Sequence, residues 1–432
     1  MLLTKWLNLT IKHCLKITVL LLAIKVQAQD NNRLTLEQAY DLARQNYPVI
    51  KQKDLVRRTA SLTIENLNKG FLPQLTISGQ ATYQSDVTSV PISVPGLKIE
   101  PPGKDQYKIQ AELSQLLYDG GTTSAQINVQ HANAQVEDQK AEVELYKVKD
   151  RINQLYLGIL LVDEQVKQVD LVKNDIQLGI KRVEAQVKNG TAFRSGQLTL
   201  EAELMKNDQR VIELRANRKG LVDVLSLFLN KQLPDNVQLD QPVIPATLVK
   251  ESVARPELKL YNYQSELFRV QNGLVSAKNR PRTSLFVQGG YGRPALNLLK
   301  NNFDFFYIAG VRLNWSLGNL YTTKKERELL QVNQRLVDVQ KELFLLNTNT
   351  QLKQQQAEVD KLSQLIQSDQ QIIGIRAQVK EAANAQLSNG VITANDFLKE
   401  VNAEDEAKQS LITHQLQLLM AQINARTISG NQ

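Results

Sequence analysis

Cysteine and histidine are almost absent from this sequence of 432 residues, which contains one cysteine and three histidines. Cys14 and His13 both fall within the first 28 residues, and His131 and His414 are far apart in the chain. The chain beyond residue 28 therefore cannot form a disulfide or a thiolate metal site, and it has no spaced histidine cluster. We expect no catalytic residue, no metal and no cofactor.

Long hydrophobic runs and a strong charge of one sign are also missing. No apolar stretch approaches the roughly 20 residues that a membrane-spanning helix needs, so we expect no transmembrane helix. The formal net charge is +8, and four lysines in the first 28 residues supply half of it. This excludes the basic footprint of a nucleic-acid-binding protein. No Gly-x-x-x-x-Gly-Lys motif follows the glycine pairs, so a phosphate-binding loop is not indicated.

The amino terminus has the pattern of a secretory signal peptide. Lys5, Lys12 and Lys16 precede a short apolar run at 17–24, and Val-Gln-Ala follows at 26–28. Basic, apolar and small residues in this order predict cleavage after Ala28. Cys14 lies too early for a lipoprotein cleavage site, so the exported chain contains no cysteine.

The rest of the sequence is organised as two copies of one plan. Tyr47-Pro48 and Arg255-Pro256 are 208 residues apart, and the turns at 188–190 and 388–390 are 200 residues apart. Landmarks that recur in one order indicate an internal duplication. The predicted organisation is a signal peptide at 1–28, a first repeat at 29–232, a linker at 233–256 and a second repeat at 257–432.

Within each repeat the hydrophobic period changes from helix to strand and back to helix. Leu75, Ile77 and Tyr83, for example, alternate with Thr76 and Ser78, the period of a β-strand. The predicted strands cover about 74–87, 105–117, 283–292 and 303–316. The predicted helical hairpins cover 124–230 and 322–427.

Alternation alone suits a soluble β-sandwich as well as a membrane sheet, but aromatic residues near the strand ends favour the membrane. These residues are Tyr83, Tyr107, Tyr291, Phe305 and Trp315. Four strands cannot close a barrel, and an open sheet edge cannot face lipid because its N–H and C=O groups would stay unpaired. The chain must therefore associate, and three copies would supply twelve strands.

Very long helices follow the strands. Apolar residues between Val129 and Val187 fall largely on alternating spacings of three and four, which is the pattern of a coiled-coil seam. At about 1.5 Å per residue, the segment 124–187 would extend on the order of 100 Å, too long for a compact bundle. A rod or a tunnel is predicted. In the second repeat the seam residues are Leu329, Val332, Leu336, Val339, Leu343 and Leu346.

The duplicated unit resembles the TolC family of outer-membrane efflux proteins. The resemblance rests on Phe-Leu-Pro-Gln-Leu at 71–75, Leu-Tyr-Asp-Gly-Gly at 117–121 and the Asn-Gly turns at both hairpin tips. It implies a mixed α and β membrane protein, a homotrimer in the outer membrane with a large periplasmic portion. Its twelve-stranded β-barrel, four strands per chain, would continue into a long periplasmic α-helical coiled-coil barrel.

The resemblance also implies a function and partners. The chain would be the outer-membrane channel component of a tripartite efflux or type I secretion system, a passive conduit in contact with outer-membrane lipid. A periplasmic adaptor (membrane fusion) protein and an inner-membrane pump of RND, ABC or MFS type would dock at the tunnel tip. The tip residues are Asn189, Gly190 and Thr191 in the first repeat and Asn389, Gly390 and Val391 in the second.

In the family the tunnel closes just after the second tip turn, where acidic side chains can form a ring. The matching positions are Asp396 and Lys399. Lysines at the second position would offset the anionic ring and remove a clear cation preference. Two simpler interpretations stand beside this one: Asp396 as an N-terminal helix residue stabilised by the macrodipole, and Lys399 as a solvated flank.

A protein of another class, a periplasmic coiled-coil adaptor or a structural protein, would also contain long hairpins. Adaptors lack four strands with aromatic-ended apolar faces, which is the feature that separates the two hypotheses. Neither the cargo nor the pump is distinguished by the sequence.

Overall fold

The computed structural model describes residues 32–89, 101–243 and 252–431. The predicted signal peptide, the centre of the loop after the first strand and part of the predicted linker lie outside these residues. The elements in chain order are β1 (Arg33–Leu34), α1 (Leu36–Asn46), α2 (Val49–Lys69), β2 (Gln74–Tyr83), β3 (Asp105–Tyr118), α3 (Thr122–Lys188), α4 (Arg194–Leu229), β4 (Gln238–Leu239), α5 (Pro256–Lys278), β5 (Arg282–Arg293), β6 (Asp304–Asn314), α6 (Asn319–Ser388) and α7 (Ala394–Ser429).

Short polar motifs determine where the helices begin. Thr35 and Gln38 form a capping box before α1, in which each side chain accepts the other residue's backbone N–H. The carboxylate of Asp119 accepts the N–H groups of Gly121 at 2.8 Å and Thr123 at 2.6 Å, and so caps α3. None of the helices in the described ranges is long and apolar enough to cross a membrane.

The chain divides into two compact units. The first unit contains residues up to Tyr47 together with Leu145–Val253 and the segment from Asn349 onward. The second contains Pro48–Glu144 and Ala254–Thr348, and therefore the four long strands.

In the second unit these strands form an antiparallel sheet in the order β2-β3-β5-β6. The predicted strand at 74–87 ends earlier, at Tyr83, which is paired with Asp105. Trp315 lies just beyond the end of β6. Among the described residues, β2 and β6 each have a strand partner on one side only.

In the first unit the predicted seam of α3 is largely buried. Ile152, Tyr156 and Ile159 are fully enclosed by α1, α4 and α7. The hydroxyl of Tyr156 lies 2.7 Å from the carbonyl oxygens of both Leu34 and Asp240, at the parallel pair β1 and β4. Packing of an apolar seam together with this buried hydrogen bonding holds the four helices to the small sheet.

Candidate functional site

One face of the four-stranded sheet is apolar and exposed. The antiparallel register aligns the apolar positions of neighbouring strands, for example Leu113 with Val287 and Val287 with Ala309. Because successive side chains alternate between faces, the whole set comes to one side of the sheet. An apolar patch of this extent on a folded chain marks a surface for lipid or for another protein. Its exposed members include Leu75, Ile77, Ile109, Leu113, Leu285, Val287, Tyr307, Val311 and Leu313.

Aromatic side chains occupy both ends of this face. The five predicted girdle residues, Tyr83, Tyr107, Tyr291, Phe305 and Trp315, are 40–81% exposed. The strand register places all of them except Trp315 at the loop end of the sheet. Trp315 lies at the opposite end, where its Nε1 donates to the carbonyl of Asn279 at 3.0 Å. Exposed aromatics at both ends of an apolar strand surface are typical of the two interfaces of a membrane.

The sequence analysis missed Phe303 as a member of the aromatic cluster. Its ring stacks on Tyr107 and Tyr291, with centroid separations of 6.3 and 5.5 Å. Arg293 lies over Tyr107 and Phe303 and pairs with Asp105. Phe303 stands in the loop just before β6, so strand alternation alone carried no signal for it.

The other face of the sheet is polar. Arg312 donates from both terminal nitrogens to the carboxylate of Glu112, at 2.7 and 3.2 Å. The ammonium of Lys108 lies 4.7 Å from the centroid of the Phe306 ring. That ring covers Gly290, where a Cβ would lie 2.5 Å from Phe306 Cζ. The sheet thus has one lipid-like face and one charged face.

A second apolar surface of the second unit lies on α6. The seam residues predicted there do not find partners inside the described chain, since they are 48–63% exposed. These residues are Leu329, Val332, Leu336, Val339, Leu343 and Leu346. A heptad stripe left open in this way is complete only when another helix packs on it.

In the first unit, the two predicted tip turns lie side by side. Gln186 Nε2 donates to the carbonyl of Leu387 at 2.6 Å. Gly190 and Gly390 adopt left-handed backbone angles, with φ of 76° and 70°. The N–H groups that follow them return to carbonyls of the preceding turn, which is the Schellman arrangement. The residues in the turns are Asn189, Gly190, Thr191, Asn389, Gly390 and Val391, all exposed.

The predicted gate residues Asp396 and Lys399 are in contact with each other. Asp396 forms a capping box with Thr393 at the start of α7, and its Oδ2 accepts the Thr393 hydroxyl at 2.7 Å. The Lys399 ammonium lies 3.4 Å from Asp396 Oδ1. The hydrogen bonds from Thr393, and then Lys399, hold the pKa of Asp396 below its ordinary value. The carboxylate is therefore ionised, and its charge is offset within its own chain.

A charge cluster absent from the sequence prediction links three helices of the first unit. Lys380 on α6 lies 2.8 Å from Asp175 on α3 and 2.6 Å from Glu404 on α7. Lys408 lies 2.9 Å from the other oxygen of Glu404. Burial raises the pKa of Glu404, but hydrogen bonds and charge from both lysines outweigh it, and the pKa falls below its ordinary value. Lys380 and Asp175 are 205 residues apart, so no local pattern could reveal the pair.

Within the described ranges, no group of three or more histidine, cysteine, aspartate or glutamate residues is arranged to hold a metal ion. Glu112 is occupied by Arg312, and Glu404 is occupied by two lysines. The geometry of the chain is that of surfaces and of a wall, with charge pairs as internal links.

Comparison with known proteins gives the following relatives. Residues 39–226 match the model of the family described as outer membrane efflux protein. A search of curated protein sequences finds no significant match. Among solved structures, the chain is similar to CusC at 15% sequence identity and a TM-score of 0.66, with 92% of each chain covered.

Two further structures share this fold. MtrE of Neisseria gonorrhoeae, in its open state, is 14% identical with a TM-score of 0.63, over 92% of this chain and 89% of that chain. VceC of Vibrio cholerae is 15% identical with a TM-score of 0.57, over 92% and 97%. The family match, together with a fold shared over almost the whole chain, shows that the chain belongs to the outer membrane efflux protein family, the TolC family that its motifs resemble.

Proposed function

We propose that three copies of this chain form a passive conduit through the outer membrane, as the channel component of a tripartite efflux or type I secretion system. Each copy supplies four strands to a twelve-stranded β-barrel, and its long hairpins continue the conduit as a coiled-coil barrel in the periplasm. The observation that carries this proposal is a sheet with one apolar exposed face and two open edges.

The open edges require partners when the apolar face lies in lipid. An unpaired N–H or C=O group in the hydrocarbon region costs several kcal/mol, about 2–7 per group by transfer measurements. In the order β2-β3-β5-β6 every neighbouring pair is antiparallel, so β6 runs opposite to β2. A β6 edge can therefore pair with the β2 edge of the next copy and keep the antiparallel pattern. Three copies close a barrel with an even number of strands.

The exposed stripe on α6 supports the same assembly. In the first repeat the equivalent seam is buried within the chain around Ile152 and Ile159. In the second repeat the seam from Leu329 to Leu346 stays open. A neighbouring copy would cover it, as expected when two duplicated hairpins serve one internal and one intermolecular contact.

The first test is the mass and shape of the mature protein extracted from outer membranes in a mild detergent. We expect a protein mass of three chains, and an elongated, tapered particle by electron microscopy. Lipid-phase labelling should modify a cysteine placed at Tyr83 or Trp315 and spare one placed at the tip residue Thr191. A soluble monomer, or equal labelling at all three positions, would reject the conduit.

The partners follow from the conduit. A periplasmic adaptor would dock at the two adjacent tip turns, and an inner-membrane pump would supply the energy. Val391 is 71% exposed at the tip although it is apolar, which suits a helix tip that another protein covers. The alternative of an adaptor or structural protein gains no support from the comparisons, which return outer-membrane channels.

The Asp396 gate proposal has its own test, since the same carboxylate also caps α7. Asp396→Ala should change single-channel conductance or cation selectivity at low salt if three carboxylates ring the pore. Asp396→Asn removes the charge but keeps a side chain that can accept a hydrogen bond at this position. The Asn variant should therefore reproduce the change. If neither substitution alters conductance or selectivity, Asp396 is only a capping residue.

A further inference from the structure

The charged face of the sheet has an excess of positive charge once its ion pair is taken into account. Arg312 is held by both carboxylate oxygens of Glu112, so these two residues cancel each other. Lys108 has no carboxylate partner among the described residues and contacts an aromatic ring instead. It stands in the body of β3, between the partners Gln80 and Gly292.

The position of Lys108 is determined by its surroundings. Phe306 can lie flat beside it because Gly290 has no side chain, and the ring face attracts the ammonium. On the neighbouring strands, the partners of Lys108 are an uncharged amide and a glycine. The cation is therefore held at the wall of the sheet and is not drawn toward an acidic group.

We infer that Lys108 is a selectivity-determining residue of the pore, and that it favours the passage of small solutes carrying negative charge. The inference rests on the proposed trimeric barrel, because an apolar face in lipid leaves the charged face toward the lumen. Three copies then place three ammonium groups around one level of the pore. Charges on a water-filled lumen with a low-dielectric wall act on every ion that passes.

Glu112 provides an internal control of opposite sign. Removal of its carboxylate releases the charge of Arg312, which keeps its cation–π contact with Phe286, 4.4 Å from the ring centroid. A pore that senses these side chains should respond in opposite directions to substitutions at Lys108 and at Glu112. A nonspecific structural effect would not produce opposite signs.

The test measures the reversal potential of single channels in planar bilayers under a potassium chloride gradient at low salt, where charges act over about 30 Å. Compared with the full-length wild type, Lys108→Gln should lower the chloride-to-potassium permeability ratio roughly twofold, as expected for screened wall charges. Glu112→Gln should raise the ratio, and Lys108→Arg should preserve it.

The outcomes separate this inference from the proposed function. If the wild type forms channels but neither Lys108→Gln nor Glu112→Gln changes the ratio, Lys108 does not determine selectivity and the inference is overturned. A shift of the same sign in both variants overturns it as well. If the wild type forms no channel at all, the conduit itself is rejected. Should Lys108→Gln fail to assemble, the sign of the shift in Glu112→Gln still decides.

Discussion

Replacing Lys380 with methionine should destabilise the first unit by about 3 kcal/mol, the lower end of the range for breaking a buried ion pair. The substitution removes the cation that Asp175 and Glu404 share, and the Glu404 side chain is only 6% exposed. The lower end applies because Lys408 still contacts Glu404. The measurement is the unfolding midpoint of the detergent-solubilised protein, followed by far-ultraviolet circular dichroism.

Lys361→Met is the matched control on the same helix. Lys361 pairs with Glu358 at 2.7 Å, but its side chain is 57% exposed, so this loss should stay within about 0.5 kcal/mol. Equal destabilisation by the two substitutions would contradict the assigned role of the buried cluster.

The effect of Lys380→Met should also depend on pH. A carboxylate with a lowered pKa contributes its stability above its ordinary value, here 4.5, and loses it as the pH falls through the lowered value. The difference between the wild type and Lys380→Met should therefore be full near neutral pH and should shrink in acid. A difference that grows on acidification would show that Glu404 is not the group involved.

Gly290→Ala should prevent correct assembly of the strands. The new Cβ would lie 2.6 Å from the carbonyl oxygen of Ile109 and 2.5 Å from the Phe306 ring, so β5 would have to move away from β3. Overpacking of this kind costs about 1–3 kcal/mol in each chain, and the trimer would carry it three times. We expect the yield of trimer from outer membranes to fall, as measured by size-exclusion chromatography in mild detergent.

Gly79→Ala is the control for this prediction. Gly79 also lies in a strand, β2, but no atom would come within 4 Å of its new Cβ. Its trimer yield should match that of the wild type. An undiminished yield for Gly290→Ala would mean that the sheet adjusts to the added methyl group, and that the close contact with Ile109 is not needed.

Much of the architecture could be predicted because its signals are local. The alternation from Leu75 to Tyr83 has a period that only a strand satisfies, and the structure forms β2 there. The same holds for the capping box of Thr35 and for the glycines at the two tips, which adopt positive φ. In each case a few neighbouring residues carry the entire physical requirement.

The contacts across the sheet could not be predicted in this way. Glu112 and Arg312 are both visible as polar residues in alternating strands, but their pairing depends on β5 lying between β3 and β6 in one particular register. A shift by one residue would have moved one of them to the apolar face. The lone position of Lys108 depends on the same register.

By itself, the sequence determined the class of elements, their order, the duplication and the apolar character of the seams, since each follows from periodicity, turn chemistry and composition. Only the tertiary structure decided which seam is satisfied within the chain. The seam around Ile152 is buried, whereas the one from Leu329 to Leu346 is exposed. The physical reason is that a periodic pattern specifies that an apolar face must be covered, while the position of the other helices specifies what covers it.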